Sequence, residues 1–451
     1  MNTPVADFVR SYAQSHTLRM HMPGHKGRGG MGVEGLDVTE FTGADELYCP
    51  EGILLESQQN AARLFGAAQT VYSAEGSSLC IRAMLYLACL WAKSEGRTPR
   101  ILAGRNAHRV FVSAAALLDM EVDWLWPDET ASIVSCPISP EQLDRRLGEG
   151  EPPCAVYITS PDYLGNVSDI AGLARVCRSH GVPLLVDNAH GAYLRFLPQD
   201  THPMTLGADL CCDSGHKTLP VLTGGAYLHI SHHAPALFGQ LARQAMALFA
   251  STSPSYLILQ SLDGANARLD DDYPRQLAAC AEQLDAVRTR LSRAGFALVG
   301  DEALKLTLAP RTWGYTGHEL ARYLEEQGIM PEYADPDHVV LMPGPDNGPE
   351  ALMQVERVLL ALPRRPALPV TALPVCRPVR VCSPRMALFM PGRVLPVAEC
   401  LGKVLADPMV SCPPAVPVAV SGEVLDETAI ELMTYYGTDT CRVFDPEERD
   451  K

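Results

Sequence analysis

Lysine is nearly absent from this chain. Of 451 residues only six are Lys (26, 93, 217, 305, 403 and 451), so 31 of the 37 basic residues are Arg. Arg stays protonated in proteins, whereas a Lys amine can lose its proton and condense with a carbonyl. In a chain that uses Arg almost everywhere, an embedded Lys is a candidate for chemistry that Arg cannot do. Other shortages exclude whole classes. The 37 basic residues face 53 acidic ones, a net charge of −16, and nucleic acid as the main partner would need a basic face. Long apolar runs are missing too. The most apolar stretch, Leu79 to Ala92, is broken by Arg82 and too short to span a bilayer. The N-terminal MNTPVADFVR has neither an apolar core nor a basic leader, so it does not read as a signal peptide. No Cys-x2-Cys pair occurs among the 14 Cys, and the adjacent Cys211 and Cys212 are poorly placed to share one metal. Reduced thiols, a cytoplasmic location and no metal are therefore expected.

What is present is globular. Hydrophobic residues make up 47% and charged residues 20%, and the length suggests two or three domains. Residues 1–50 read as an irregular, Gly-rich N-terminal arm. Strand-like and helix-like stretches then alternate. The strand-like ones are Thr70–Ser73, Arg100–Ala103, Cys154–Thr159, Val182–Val186 and Ala208–Asp213, with helical patterns over 58–66, 78–93, 110–118 and 171–180. Such alternation predicts a mostly parallel sheet flanked by helices. Ser255–Ala294 is helical in pattern, and residues 304–360 read as β-α-β-α. Six Pro between 363 and 384 signal a rigid linker, and Val416–Val420 reads as a strand after Pro413-Pro414. The boundaries expected are 1–50 for the arm, 51–290 for a large domain, 291–365 for a small α/β domain and 366–451 for a C-terminal domain.

In open parallel sheets, ligands bind beyond the carboxyl ends of the strands. Thr70–Ser73 is followed by Gly76, Ser77 and Ser78 at a helix start, which is either a phosphate cup or an ordinary Ser cap. The next strand is followed by His108, either a flat ring for stacking or a surface His. Asp187 directly follows the buried Leu184-Leu185-Val186, where a carboxylate needs a cation or a structural partner. His190 lies three residues on. Ser214-Gly215-His216-Lys217 follows the last strand, and Lys217 is either a reactive amine or a phosphate-binding or surface Lys. Taken together, a phosphate cup, a ring, an acid and then a Lys about thirty residues later is the order expected for pyridoxal phosphate, which needs each of these groups.

These residues sit in longer motifs: HMPGHKG (21–27), DVTEFTGADELYCPEG (37–52), AEGSSLCIRA (74–83), RNAHR (105–109), SPDYLGN (160–166), VDNAHGAYL (186–194), DSGHKTLPVLTGGAYLH (213–229), GYTGHELARYLEEQGI (314–329) and CPPAVPVAVSGE (412–423). Over nearly its whole length the chain resembles the short form of the bacterial Orn/Lys/Arg decarboxylases. The resemblance implies a fold type I, aminotransferase-like large domain with smaller C-terminal α+β parts. It also implies Lys217 as the Schiff-base lysine, Asp187 as the pyridinium partner, His108 as the ring-stacking residue and His190 close to cofactor and substrate. Ser77, Ser78, Ser214 and His216 are implied as phosphate contacts, with the Gly76 loop shaping the cup and Thr223 as a further candidate for a phosphate, within one subunit or across an interface. A homodimer or higher symmetric assembly is implied as well. The chain departs from the family at Asp45-Glu46-Leu47-Tyr48, at Asn188 and at Pro413-Pro414-Ala415.

The implied reaction is α-decarboxylation of arginine, lysine or ornithine, with Asp45, Glu46 and Glu423 as candidate acceptors for the distal cation. Two rivals stand beside it. One is another pyridoxal-phosphate reaction such as transamination, for which Arg385 or Arg393 could hold the α-carboxylate. The other, of a different class, is a catalytically silent binding or regulatory subunit. A metal site built from His21, His25, Cys211, Cys212 and His216 is a weaker reading still.

Overall fold

The computed structural model of the protein describes residues 1–128, 132–370, 373–407 and 414–450. The chain divides into two compact units. The first is Met1–Thr98, Cys154–Tyr157 and Ile170–Leu277; the second is Pro99–Pro153, Ile158–Asp169 and Ala278–Lys451. Among the described residues no helix is long and apolar enough to cross a membrane.

Among the described residues seven strands precede residue 231: β1 (Gln69–Ser73), β2 (Arg100–Gly104), β3 (Glu121–Leu125), β4 (Ala155–Thr159), β5 (Leu184–Asp187), β6 (Leu210–Asp213) and β7 (Ala226–Ile230). In the first unit their order is β1-β7-β6-β5-β4. β5 and β6 pair in parallel, as the alternation predicts, and β7 runs antiparallel to both β6 and β1. β5, β6 and β7 are buried throughout, as strands covered on both faces must be.

The first unit opens with a helix, Pro4–Gln14, where the sequence reads as irregular. Pro4 pre-sets the first turn, and Val5, Ala6 and Val9 form its buried face. Thr3 supplies no side-chain cap. Instead Asp263, from the helix Tyr256–Leu269, accepts both Val5 N and Ala6 N at 3.0 Å. The helical stretch expected over 255–294 is two helices, Tyr256–Leu269 and Tyr273–Ala294, broken at Asp270-Asp271-Asp272, with Pro274 in the opening turn of the second. The helix Ile53–Phe65 stops at Gly66, whose left-handed φ of 68° closes its last carbonyls. β3, β7 and the helices Pro140–Leu147 and Ala236–Phe249 are further elements beyond the sequence reading.

In the second unit β2 and β3 pair in parallel. Four short strands, β8 (Leu298–Val299), β9 (Leu306–Leu308), β10 (Tyr333–Ala334) and β11 (Val339–Leu341), form an antiparallel sheet ordered β10-β11-β9-β8. Helices Gly317–Glu326 and Pro349–Leu360 complete the expected β-α-β-α, the first opened by a capping box between Thr316 and Glu319. A third sheet, ordered β12-β14-β13, consists of β12 (Arg393–Pro396), β13 (Val404–Asp407) and β14 (Thr440–Phe444).

Val416–Val420 is not a strand. Pro417 has no N–H to give a ladder, Arg105 takes the Val418 carbonyl, and Glu423 takes the Val420 N–H. The Val418 carbonyl and the Val420 N–H are thus satisfied by side chains, and the Val420 carbonyl by the Glu423 N–H. Pro413, read together with Pro414, lies outside the described residues.

Candidate active site

Within the first unit the carboxyl ends of β5 and β6 carry most of the predicted residues. Asp187 is the last residue of β5 and is buried. A carboxylate taken out of water needs donors. It has three: Tyr157 Oη at 2.9 Å on Oδ2, with Ala189 N at 3.2 Å and the Cys212 thiol at 3.6 Å on Oδ1. Burial and the nearby Asp187 both push the Cys212 thiol well up, so it remains a donor.

The chain leaves β6 at Ser214 and makes one helical turn, Gly215–Thr218, that carries His216 and Lys217. Lys217 Nζ lies 3.1 Å from Nε2 of the buried His190. Ser214 Oγ donates to Ser77 Oγ at 2.7 Å, His216 N donates to the Gly225 carbonyl at 3.1 Å, and Gly76 N donates to the Gly224 carbonyl at 2.7 Å. Gly76, Ser77, Ser214, His216, Lys217 and His190 thus meet in one place, with Ser78 next along the helix Gly76–Ser94. The later glycines have a steric reason. A Cβ on Gly224, at φ +99°, would sit 2.9 Å from the Ala74 carbonyl oxygen, and one on Gly225 would sit 2.3 Å from Val221 Cγ1.

This cluster fits pyridoxal phosphate on its own chemistry. The helix Gly76–Ser94 starts with no side-chain cap from Glu75 and no acid in its first turn, which leaves a positive helix end flanked by two Ser hydroxyls. Thr218 Oγ1, beside Lys217, is buried without a hydrogen-bond partner among the described residues. The neighbouring imidazole gives the Lys217 amine a base close enough to take its proton.

Behind β6 lies a network with no counterpart in the sequence reading. Asp213 is wholly buried and accepts from His202 Nε2 at 2.9 Å, His229 Nε2 at 3.1 Å, Asn188 Nδ2 at 2.6 Å and the Cys211 thiol at 3.5 Å. Burial pushes this carboxyl up, but the electrostatic pull of His202 and the bonds from both imidazoles outweigh it and hold it below the usual range. His202, Cys211 and Asp213 are close enough to share a metal ion. However, His202 Nδ1 accepts the Met204 N–H, which puts the ring proton on Nε2, the atom a metal would need. The cluster is a hydrogen-bond cage. Among the residues of the weaker metal reading, His21 bonds Tyr12 Oη at 2.6 Å and His25 pairs with Asp37 at 3.1 Å. The sequence gives no sign of the cage, because its partners come from the loop after β5, the cap of the helix Pro203–Leu206, β6 and β7.

His108 belongs to the second unit. It caps the helix Arg109–Leu117, its Nδ1 accepting Val110 N at 3.1 Å. The candidate distal acceptors are already occupied or exposed. Asp45 accepts the N–H groups of Glu46, Glu51, Gly52 and Leu54 at 2.8–3.0 Å, and Glu46 is exposed. Glu423 is buried against Arg105 at 3.0 Å. Arg385 donates to the Leu117 carbonyl at 3.0 Å and Arg393 pairs with Asp445 at 2.6 Å, so both have structural partners. Thr223 is exposed. Among the other described Lys, Lys305 is buried in an ion pair with Glu302 at 2.8 Å, Lys403 pairs with Asp445 at 2.7 Å, and Lys26 donates to the His21 carbonyl at 2.6 Å.

The fold defines a class. Solved structures that resemble it include lysine decarboxylase LdcF of Francisella novicida, with TM-score 0.79, 16% identity and coverage of 97% of this chain and 78% of that one. The constitutive lysine decarboxylase of E. coli gives TM-score 0.76, 18% identity and coverage of 97% and 79%. This is the fold type I architecture of pyridoxal-phosphate enzymes, with a large, mostly parallel sheet and smaller antiparallel ones. The chain belongs, within that class, to the Orn/Lys/Arg decarboxylase family, whose major-domain model matches residues 3–309. Curated relatives include an arginine decarboxylase of Bacillus subtilis (strain 168), 28% identical over 466 residues that cover 96% of this chain and 93% of that protein. An arginine decarboxylase of Bacillus anthracis is 25% identical over 464 residues, covering 96% and 92%. The family places the protein among the amino-acid decarboxylases, which are carbon–carbon lyases.

Proposed function

We propose that the protein is a pyridoxal-phosphate-dependent decarboxylase of a basic amino acid, releasing carbon dioxide and the corresponding amine. The observation that carries this reading is the Lys217 amine at 3.1 Å from His190, in the same loop cluster as Gly76, Ser77, Ser214 and His216. When bound, the cofactor supplies a carbonyl for the Lys amine and an electron sink for the α-carbon. The chain's own residues do the rest. His190 takes a proton from the Lys217 amine and so makes it nucleophilic. Asp187, fixed by its three donors, would face the pyridine nitrogen and hold a proton there. The helix start at Gly76 with Ser77, Ser78 and Ser214 holds the phosphate. The relatives named arginine decarboxylase and the lysine decarboxylase structures support a basic substrate, arginine, lysine or ornithine. A homodimer or higher symmetric assembly in the cytoplasm belongs to the same proposal.

One assay tests it. The purified protein is given pyridoxal phosphate, its visible absorbance is recorded, and carbon dioxide release is measured with each of the three amino acids. A coloured protein that releases carbon dioxide without consuming a keto acid is expected, and Lys217→Ala is expected to abolish both colour shift and release. Keto-acid consumption would make it a transaminase. A colourless protein would end the cofactor reading.

A further inference from the structure

The parallel ladder of β5 and β6 ends with Asp187 opposite Cys212. Asn188 N still donates to the Cys212 carbonyl at 3.0 Å. One position further, side chains take over from backbone: Asn188 Nδ2 donates to Asp213 Oδ1 at 2.6 Å. Both residues are wholly buried. Each is also the root of a turn. The Asn188 carbonyl accepts Gly191 N at 2.8 Å, which closes the turn that carries His190. Asp213 leads into Ser214, whose carbonyl accepts Lys217 N at 3.0 Å. The two turns are thus joined at their roots by Asn188 and Asp213, and they meet at their tips, with Lys217 Nζ 3.1 Å from His190 Nε2. All of these residues belong to the first unit.

This link is a poor way to gain stability. Asn188 Oδ1 is buried with no hydrogen-bond partner among the described residues, and an unmatched buried carbonyl works against folding. Apolar side chains of similar shape would pack at both positions without that loss. The acceptor is itself held on its other oxygen, Oδ2, by His202 Nε2 at 2.9 Å and His229 Nε2 at 3.1 Å. The oxygen that Asn188 meets is therefore fixed in place. A short bond to a fixed carboxylate adds direction.

We propose that Asn188 and Asp213 are positioning residues for the Lys217–His190 pair, so that the buried cage holds the imidazole within reach of the amine. The inference deepens the reading of Lys217 as the reactive amine and His190 as its base, and rests on it. A shift of about an ångström at the root of either turn would break the contact at the tip.

A double-mutant cycle read by acylation tests this without cofactor. Full-length protein, with any cofactor dialysed out, is treated at one pH with trace acetic anhydride. Mass spectrometry of digests gives the labelling rate of Lys217 relative to Lys93, which is exposed in the last turn of the helix Gly76–Ser94. His190→Gln is expected to slow Lys217 about tenfold, and Asn188→Ala to slow it by a similar factor. On top of His190→Gln, Asn188→Ala is expected to add less than about twofold. Asp263→Ala, which removes bonds elsewhere in the first unit, is expected to lower Tm and leave the ratio unchanged. Should Asn188→Ala fail to fold, Asn188→Ser, too short to reach Asp213, takes its place with the same expectation. Slowing of equal size in the His190→Gln background overturns the proposal. So does an unchanged ratio in Asn188→Ala alone, or a ratio that follows Tm in Asp263→Ala. If His190→Gln itself leaves the ratio unchanged, the reading of the Lys217–His190 pair fails, and this inference with it.

Discussion

At the scale of single residues, Asp213 shows how a buried charge is kept. Four donors surround it, two of them imidazoles, and each side chain is fully buried or close to it. Burial lowers the pKa of His229, and this outweighs the pull of Asp213 in the other direction. The sign follows for both groups. A His held below its unfolded value of about 6.5 binds its proton more readily when unfolded, so stability is lost as pH falls from there. Asp213, also depressed, adds a second loss as pH falls below about 4, its unfolded value. Thermal melts from pH 8 to 3 should show both, with His229→Gln flattening the upper part. Asp213→Asn should flatten the lower part and cost about 2–4 kcal/mol at neutral pH by leaving donors unmatched. A flat Tm in wild type between pH 7 and 5 would contradict the His229 account. The strand-end positions of Asp187, Ser214 and Lys217 were legible in the sequence, because Asp187 ends β5, Ser214 follows β6 and Lys217 lies in the next turn. The cage was not legible, because Asn188, His202 and His229 come from separate stretches of the sequence and only the fold brings them to Asp213.

At the scale of elements, the N-terminal helix is tied by a borrowed cap. Asp263 accepts its first two buried N–H groups and also Ser57 Oγ at 2.6 Å. Asp263→Ala should release the helix Pro4–Gln14 and weaken it by about 1–2 kcal/mol. Limited proteolysis would read this as faster cutting between residues 15 and 35, and an unchanged cutting rate would show that packing alone holds the helix. This element was missed in the sequence because its cap lies 258 positions away from Val5. β7 was missed for another reason: Ala226–Ile230 follows Gly224-Gly225, and the glycines drew attention to the turn and away from the five buried residues after it. The strand expected at 416–420 failed because Pro417, its second residue, removes a ladder donor.

At the scale of the whole molecule, the shortage of Lys has become a set of placements. Lys305 and Lys403 are spent on ion pairs, Lys26 on a carbonyl, and Lys217 sits beside an imidazole. The Cys follow a similar logic. All thirteen described ones are free thiols, and Cys49 is exposed while Cys211 and Cys212 are buried with their thiols pushed well up. A thiol reagent applied to native protein should label Cys49 first and label Cys211 and Cys212 only on unfolding, as mass spectrometry of digests would show. Early labelling of Cys211 would mean that β6 opens on its own.

The reversed direction of β7 governs how the loop before it can change. The chain leaves β6 at Asp213 and re-enters β7 with Tyr227 directly opposite that residue, so the loop holding Lys217 is a closed circuit anchored at both ends to neighbouring strands. Its length is therefore quantised. One residue added on either side would either bulge or slide β7 by one position, turning Tyr227 and His229 to opposite faces and taking His229 away from Asp213. Divergence in this stretch should proceed by substitution and hardly ever by insertion or deletion.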